Sequence, residues 1–125
     1  MVERIERYFQ HSDERGSIEG IVNIGEWREI NLISSAGGTV RGHHYHKRTD
    51  EMFLILDGEV EVLVQEVRDG RLTGEPRIET VRTGDAFVVR PMQYHVFTLR
   101  VPSRWINMLS RSIDPNDPDI HRIDG

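Results

Sequence analysis

His44 and His46 stand two positions apart in an extended-type stretch, and a carboxylate, Glu51, follows across the polar turn Lys47–Asp50. Alternate residues of a strand point to one face, so the two imidazoles face the same way. Glu51 opens the next apolar run, and Gly38 and Gly58 bracket the segment where the chain has to turn. Two nitrogen donors and an oxygen donor converging on one face outline a divalent-metal site. Cysteine is absent, so no thiolate can bind metal or act as a nucleophile, and no disulfide holds the fold.

The elements that must carry these residues are short β-type runs separated by turn residues, and helical periodicity is weak throughout. Strands are predicted over Glu29–Ser35, Val40–His46, Met52–Leu56, Glu59–Glu66, Ile78–Val81, Ala86–Arg90, His95–Leu99 and Arg104–Ser110, with edge strands over Val2–Phe9 and Ile18–Ile24. Asp57-Gly58 and Asp69-Gly70 are hairpin signals. About nine strands in so short a chain need two packed sheets or a closed barrel to satisfy their edges. Met52, Leu54 and Leu56 are apolar opposite Glu51, Phe53 and Ile55, so that strand is either central to a two-layer core or buried against a second copy, which favours a homodimer. The tail from Ser112, with Pro115 and Pro118, is expected to be extended and loosely packed.

The 125 residues suit one domain, an all-β unit over 1–125 with an N-terminal extension to about residue 25 and a tail over about 112–125. A net charge of −5 argues against a generic nucleic-acid or anionic-membrane surface. The longest apolar stretch, Met52–Leu56, is far too short to span a bilayer, and Met1-Val2-Glu3-Arg4 lacks the apolar core of a signal peptide. A cytoplasmic location is the expectation.

Gly38, His44, His46, Glu51 and Gly58 stand in register with the first signature motif of the cupin superfamily, which the chain resembles. The run Gly84-Asp85-Ala86-Phe87-Val88-Val89-Arg90-Pro91-Met92-Gln93-Tyr94-His95 is similar to its second motif, although Arg90 replaces a common proline, Met92 a usual glycine and Leu99 a frequent asparagine. The resemblance implies a single-domain, RmlC-like jelly roll (a double-stranded β-helix) and makes His95 the fourth ligand beside His44, His46 and Glu51. Three imidazoles and a carboxylate suit Mn, Fe, Co, Ni, Cu or Zn better than Mg or Ca. His43 alternates away from the ligands unless a bulge at Gly42 intervenes, and His11 and His121 are not expected at the site.

Asp13-Glu14-Arg15-Gly16 and Val40-Arg41-Gly42-His43-His44-Tyr45 are similar to the opening of deoxysugar-nucleotide 3,5-epimerases and 3,4-ketoisomerases. His44-Tyr45-His46, Glu51-x-Phe53 and the ending Asp114-Pro115-Asn116-Asp117-Pro118-Asp119 look closer to the metal-binding C-terminal cupin of capsular-polysaccharide nucleotide-sugar reductases. This resemblance implies proton transfer beside a sugar ketone in cell-surface polysaccharide biosynthesis, with a nucleotide sugar as substrate and one divalent transition metal as cofactor. Arg15 and Arg41 match arginines of the epimerase branch; Arg90 and Arg104 are further phosphate-binding candidates by position. His44 matches that branch's base, yet a lone pair given to metal is not available for a proton. Tyr94, on a turn beside His95, is the other candidate acid or base. An Fe(II) oxygenase and a non-enzymatic sugar- or small-molecule-binding module remain the competing readings.

Overall fold

Glu29–Ser35 forms a strand over the predicted residues, its apolar Ile33 turned to the core side and Ile30 and Leu32 to the other. It is one of eleven strands in the computed structural model, which describes residues 2–123; no helix forms among them. In chain order they are β1 (Glu3–Arg4), β2 (Phe9–Asp13), β3 (Gly16–Gly20), β4 (Glu29–Ser35), β5 (Thr39–His44), β6 (Glu51–Asp57), β7 (Glu59–Arg68), β8 (Arg71–Arg82), β9 (Ala86–Val89), β10 (Gln93–Leu99) and β11 (Ser103–Leu109). Every pairing is antiparallel. One sheet runs β1-β9-β6-β11-β4, a second β5-β10-β7-β8, and β2-β3 is a separate hairpin.

The two larger sheets face each other over Phe53, Ile55, Val60, Val62, Val64, Val81, Phe87, Val89, Phe97, Leu99 and Trp105, all buried. Phe53 lies at the middle of this layer, its ring 5.0 Å from those of Phe87 and Phe97 and 5.8 Å from Trp105. Strand β6 is the middle strand of its sheet, which explains why it is apolar on both sides. Phe53 and Ile55 enter the inter-sheet core; Met52 joins Ala86 and Val88 on the outer face, beneath Ile5, Ile21, Val22 and Trp27 of the N-terminal region.

Three stretches differ from the sequence expectation. Strand β8 begins at Arg71, well before Ile78, because an edge strand tolerates Pro76 and a bulge near Gly74 absorbs the register shift. Of the edge strands expected over Val2–Phe9 and Ile18–Ile24, the first is only Glu3–Arg4 and the second ends at Gly20, as Gly16–Gly20 pairs with Phe9–Asp13 in a hairpin apart from both larger sheets. The tail is mostly exposed but not loose. Tyr45 and His121 exchange two backbone hydrogen bonds, at 3.0 and 2.9 Å, and Asp119 is buried.

Candidate metal centre

Strand β5 carries an extra residue just before His44. His95 pairs with His44 but Val96 pairs with Gly42, so His43 is bulged, at φ +59° beside Gly42 at +99°. The bulge turns His43 away from the ligands, where its Nδ1 lies 3.0 Å from the Tyr94 hydroxyl. It also brings the His44 and His95 rings face to edge, 4.6 Å between centroids. His46 follows two residues later, its carbonyl accepting the amide of Met92 at 2.7 Å. Glu51 opens β6 two residues before Phe53, on the inward face just above the aromatic core.

One ligand atom from each of His44, His46, Glu51 and His95 lies within 4.8 Å of the others. Each imidazole is oriented by a backbone carbonyl: Nδ1 of His44 by Gly42 (3.0 Å), of His46 by Asp119 (2.7 Å) and of His95 by Gln93 (3.2 Å). With the Nδ1 protons so placed, the three Nε2 atoms are left for the common centre, which is how metal-ligating histidines are commonly held. Asn107 Nδ2 donates to Glu51 Oε2 at 2.8 Å and leaves Oε1 facing the rings. His46 Nε2 bonds that Oε1 directly. The donor set, its orientation and its depth fit a transition-metal ion.

Electrostatics agree with a site built around a cation. Burial opposes charge on His46, but the bond and the charge of Glu51 outweigh it and hold the imidazole's pKa above its ordinary value. His44 is pushed down to about 4 by burial and by its two histidine neighbours. His95 is lowered, chiefly by burial. Burial would raise Glu51, yet its bond to His46 and the two nearby histidines keep it below the usual carboxylate range. The direct bond between His46 and Glu51 thus favours positive charge on the imidazole beside the carboxylate, near the point where a metal would bring its own.

A cavity of about 190 Å³ opens above the cluster, lined by His44, His46, Glu51, Thr49 and Asn107 from the barrel and by Arg111–Asp114 and Asp117–Ile120 from the tail. None of Arg15, Arg41, Arg90, Arg104 and Tyr94 lines it. Arg15 is exposed at the β2–β3 turn and bonds Asp13. Arg41 bridges the sheet edges by donating to Ser35 Oγ at 2.6 Å. Arg90 is held by Glu3 and Asp50. Tyr94 precedes the inward-facing His95 and so points out of the opposite side of its sheet. The cations at the cavity are instead Arg48, paired with Asp117, and Arg111, which has no carboxylate partner among the described residues. Asn107 and Arg111 carried no motif, and Asp119 closed the Asp114–Asp119 ending without being marked for the site; Asn107 had a signal, as a polar residue at an inward position of an otherwise apolar strand.

Two antiparallel sheets enclosing a His-His-Glu-His cluster at one end of their shared core define a cupin. The chain belongs to the polysaccharide biosynthesis C-terminal domain family, which it matches over residues 11–99. Along 96% of its length it is 22% identical to a spore coat polysaccharide biosynthesis protein of Bacillus subtilis, covering 86% of that protein. Its fold is similar to the capsular polysaccharide assembling protein CapF of Staphylococcus aureus (TM-score 0.69, 20% identity, 94% of this chain), of which it spans only 34%. It is similar also to the 3,4-ketoisomerase QdtA of Thermoanaerobacterium thermosaccharolyticum, solved as a double mutant with TDP (TM-score 0.73, 18% identity, 97% of this chain and 86% of that one). A third likeness is to dTDP-4-dehydrorhamnose 3,5-epimerase of Sulfolobus tokodaii (TM-score 0.71, 19% identity, 86% and 69%).

Proposed function

We propose that this chain is a metal-binding cupin that moves a proton next to the keto group of a nucleotide-linked sugar, in cell-surface polysaccharide biosynthesis. The observation that carries the reading is the orientation of the ligand set: three carbonyl-held imidazoles and an Asn107-held carboxylate aim four donor atoms at one point on the cavity floor. The family and the isomerase and epimerase folds it resembles support the substrate class.

A divalent ion bound there supplies Lewis-acid stabilisation of negative charge developing on a sugar oxygen. The chain's own residues do the rest. Roughly 190 Å³ is below the ~300 Å³ at which whole-ligand pockets usually begin, so the cavity suits a sugar ring and leaves the nucleotide along the rim. Arg111 and Arg48 stand at that rim, where a guanidinium fork matches phosphate oxygens. His44, as a ligand, has no lone pair to spare. Asp114 lines the wall without an ion pair among the described residues and is the carboxylate left to accept a proton from the sugar.

The test is solvent exchange. Metal-loaded protein incubated in D₂O with 4-keto sugar nucleotides should place deuterium at C3 or C5. No exchange with several such nucleotides overturns the proposal, oxygen consumption by an iron-loaded protein points to an oxygenase, and thermal stabilisation without turnover points to a binding module. We further propose a cytoplasmic homodimer. Ile30 and Leu32 are 66% and 55% exposed on the outer face of the five-stranded sheet, a surface a second copy would cover. Sedimentation of a concentration series would show a monomer if that is wrong.

A further inference from the structure

Among residues 111–123 Asp119 alone is buried, 4% exposed where its neighbours are half-buried or open to solvent. Its carboxylate is enclosed by four donors: the amides of Lys47 (2.9 Å) and Arg48 (2.8 Å), the Thr49 hydroxyl (2.8 Å) and His121 Nε2 (3.0 Å). The backbone there is at φ +55°, a left-handed conformation that Asp and Asn accept more readily than other side-chain-bearing residues. This clasp closes on the turn between His46 and Glu51, and it points the Asp119 carbonyl at His46 Nδ1. Three residues on, Arg122 Nη1 donates to the carbonyls of Gly42 (2.8 Å) and His43 (2.9 Å). The Gly42 carbonyl is the one that orients His44.

Two of the three imidazoles are therefore steadied by the tail, His46 directly and His44 through Gly42. We infer that residues 119–122 are the outer shell of the metal centre, with Asp119 and Arg122 as positioning residues, so that docking of the tail and loading of the metal are one coupled equilibrium. The inference rests on the metal reading above. Coupling is reciprocal: whatever the docked tail adds to metal affinity, bound metal adds to tail docking. Partners of this kind commonly change metal affinity by about 10–100-fold. The same tail walls the cavity from Arg111 to Ile120, so the metal would also govern whether the cavity is closed.

The experiment uses the full chain and zinc. Zinc affinity is measured by competition with a chromophoric chelator for the unaltered protein, Asp119→Asn and Arg122→Gln, and amide exchange at Tyr45 and His121 is followed with and without zinc. Asn keeps the left-handed preference, and Arg122 is exposed, so both variants should fold. Asp119→Asn is expected to weaken zinc by about 10–100-fold, Arg122→Gln by less, and zinc should slow exchange at His121 in the unaltered protein. Zinc affinities within twofold of one another, or exchange at His121 indifferent to zinc, would overturn the inference. If the unaltered chain takes up no transition metal, the metal reading itself fails and this one with it, an outcome visible before either variant is consulted.

Discussion

A Cβ placed on Gly42 would stand 2.6 Å from the carbonyl oxygen of His95. The two residues lie on paired strands at the bulge that turns His44 inward, and Gly42 is at φ +99°. Gly42→Ala therefore meets both a backbone clash and a strained dihedral, which together cost on the order of 2–4 kcal/mol. The expected outcome is a lowered thermal midpoint together with substoichiometric zinc. An alanine variant as stable as the parent would show that the bulge is not needed.

Removing a ligand should empty the site. His46→Ala and Glu51→Gln are each expected to lose bound metal while still unfolding cooperatively, because the core below them is made by Phe53, Phe87, Phe97 and Trp105. Loss of a ligand should exceed the roughly 10–100-fold associated with its supporting partners. Elemental analysis of the purified variants decides it, and full occupancy in either would refute the ligand assignment.

Metal uptake should release a proton. His46 is raised in the metal-free site and is charged below its pKa, whereas His44 is pushed down to about 4 and His95 is lowered by burial, so both lose their protons before His46 does as pH rises. In the pH range where His46 alone is charged, zinc must displace its proton, so log affinity should climb by about one per pH unit there and level once His46 deprotonates. Calorimetry in buffers of differing ionisation enthalpy reads the proton count directly, and a count near two or three would contradict this assignment.

Acid should release the tail. Burial would raise Asp119, but the amides of Lys47 and Arg48, the Thr49 hydroxyl and His121 hold its pKa well below the usual value. A depressed carboxylate contributes stability that is complete above its unfolded pKa, about 3.9, and fades as pH falls through the folded one. In metal-free protein the loss should fall below about pH 4, and Asp119→Asn should remove that component of the pH dependence. Parallel curves for parent and variant would argue against it.

Met92 offers a test in the stabilising direction. It occupies φ +64°, where glycine is free and a side chain costs about 1–2 kcal/mol, partly offset by the greater freedom glycine has when unfolded. Met92→Gly is expected to gain up to about 1 kcal/mol, a rise of a few degrees in Tm. A drop would mean that the half-buried Met92 side chain is worth more than the strain.

The cluster was legible because strand periodicity and fixed spacing act locally: His44 and His46 share a face in any regular strand, and Glu51 starts the next one. The resemblance added His95, which no local pattern would have joined to them. Likewise Glu29–Ser35 and the two-sided apolar run of β6 follow from residue type alone. Tertiary context hid the rest. The residue pattern predicts a strand only over Ile78–Val81, yet an edge position lets β8 run from Arg71 through Gly74 and Pro76. Motif and turn position single out Arg15, Arg41, Arg90 and Arg104, but Arg41 and Arg90 find partners across the sheets. Asp119 lies 73 positions from His46, and nothing in a proline-interrupted tail announces that it folds back.

Barrel and tail divide the labour of the cavity unequally. The floor with its His-Glu cluster is set by strands locked into an aromatic core, while the opposite side is an irregular ribbon held mainly at its far end, by Asp119, His121 and Arg122. Sequence drift between Arg111 and Pro118 therefore reshapes the cavity wall without touching the floor, and transplanting that ribbon between relatives is the direct way to exchange whatever ligand preferences the wall sets.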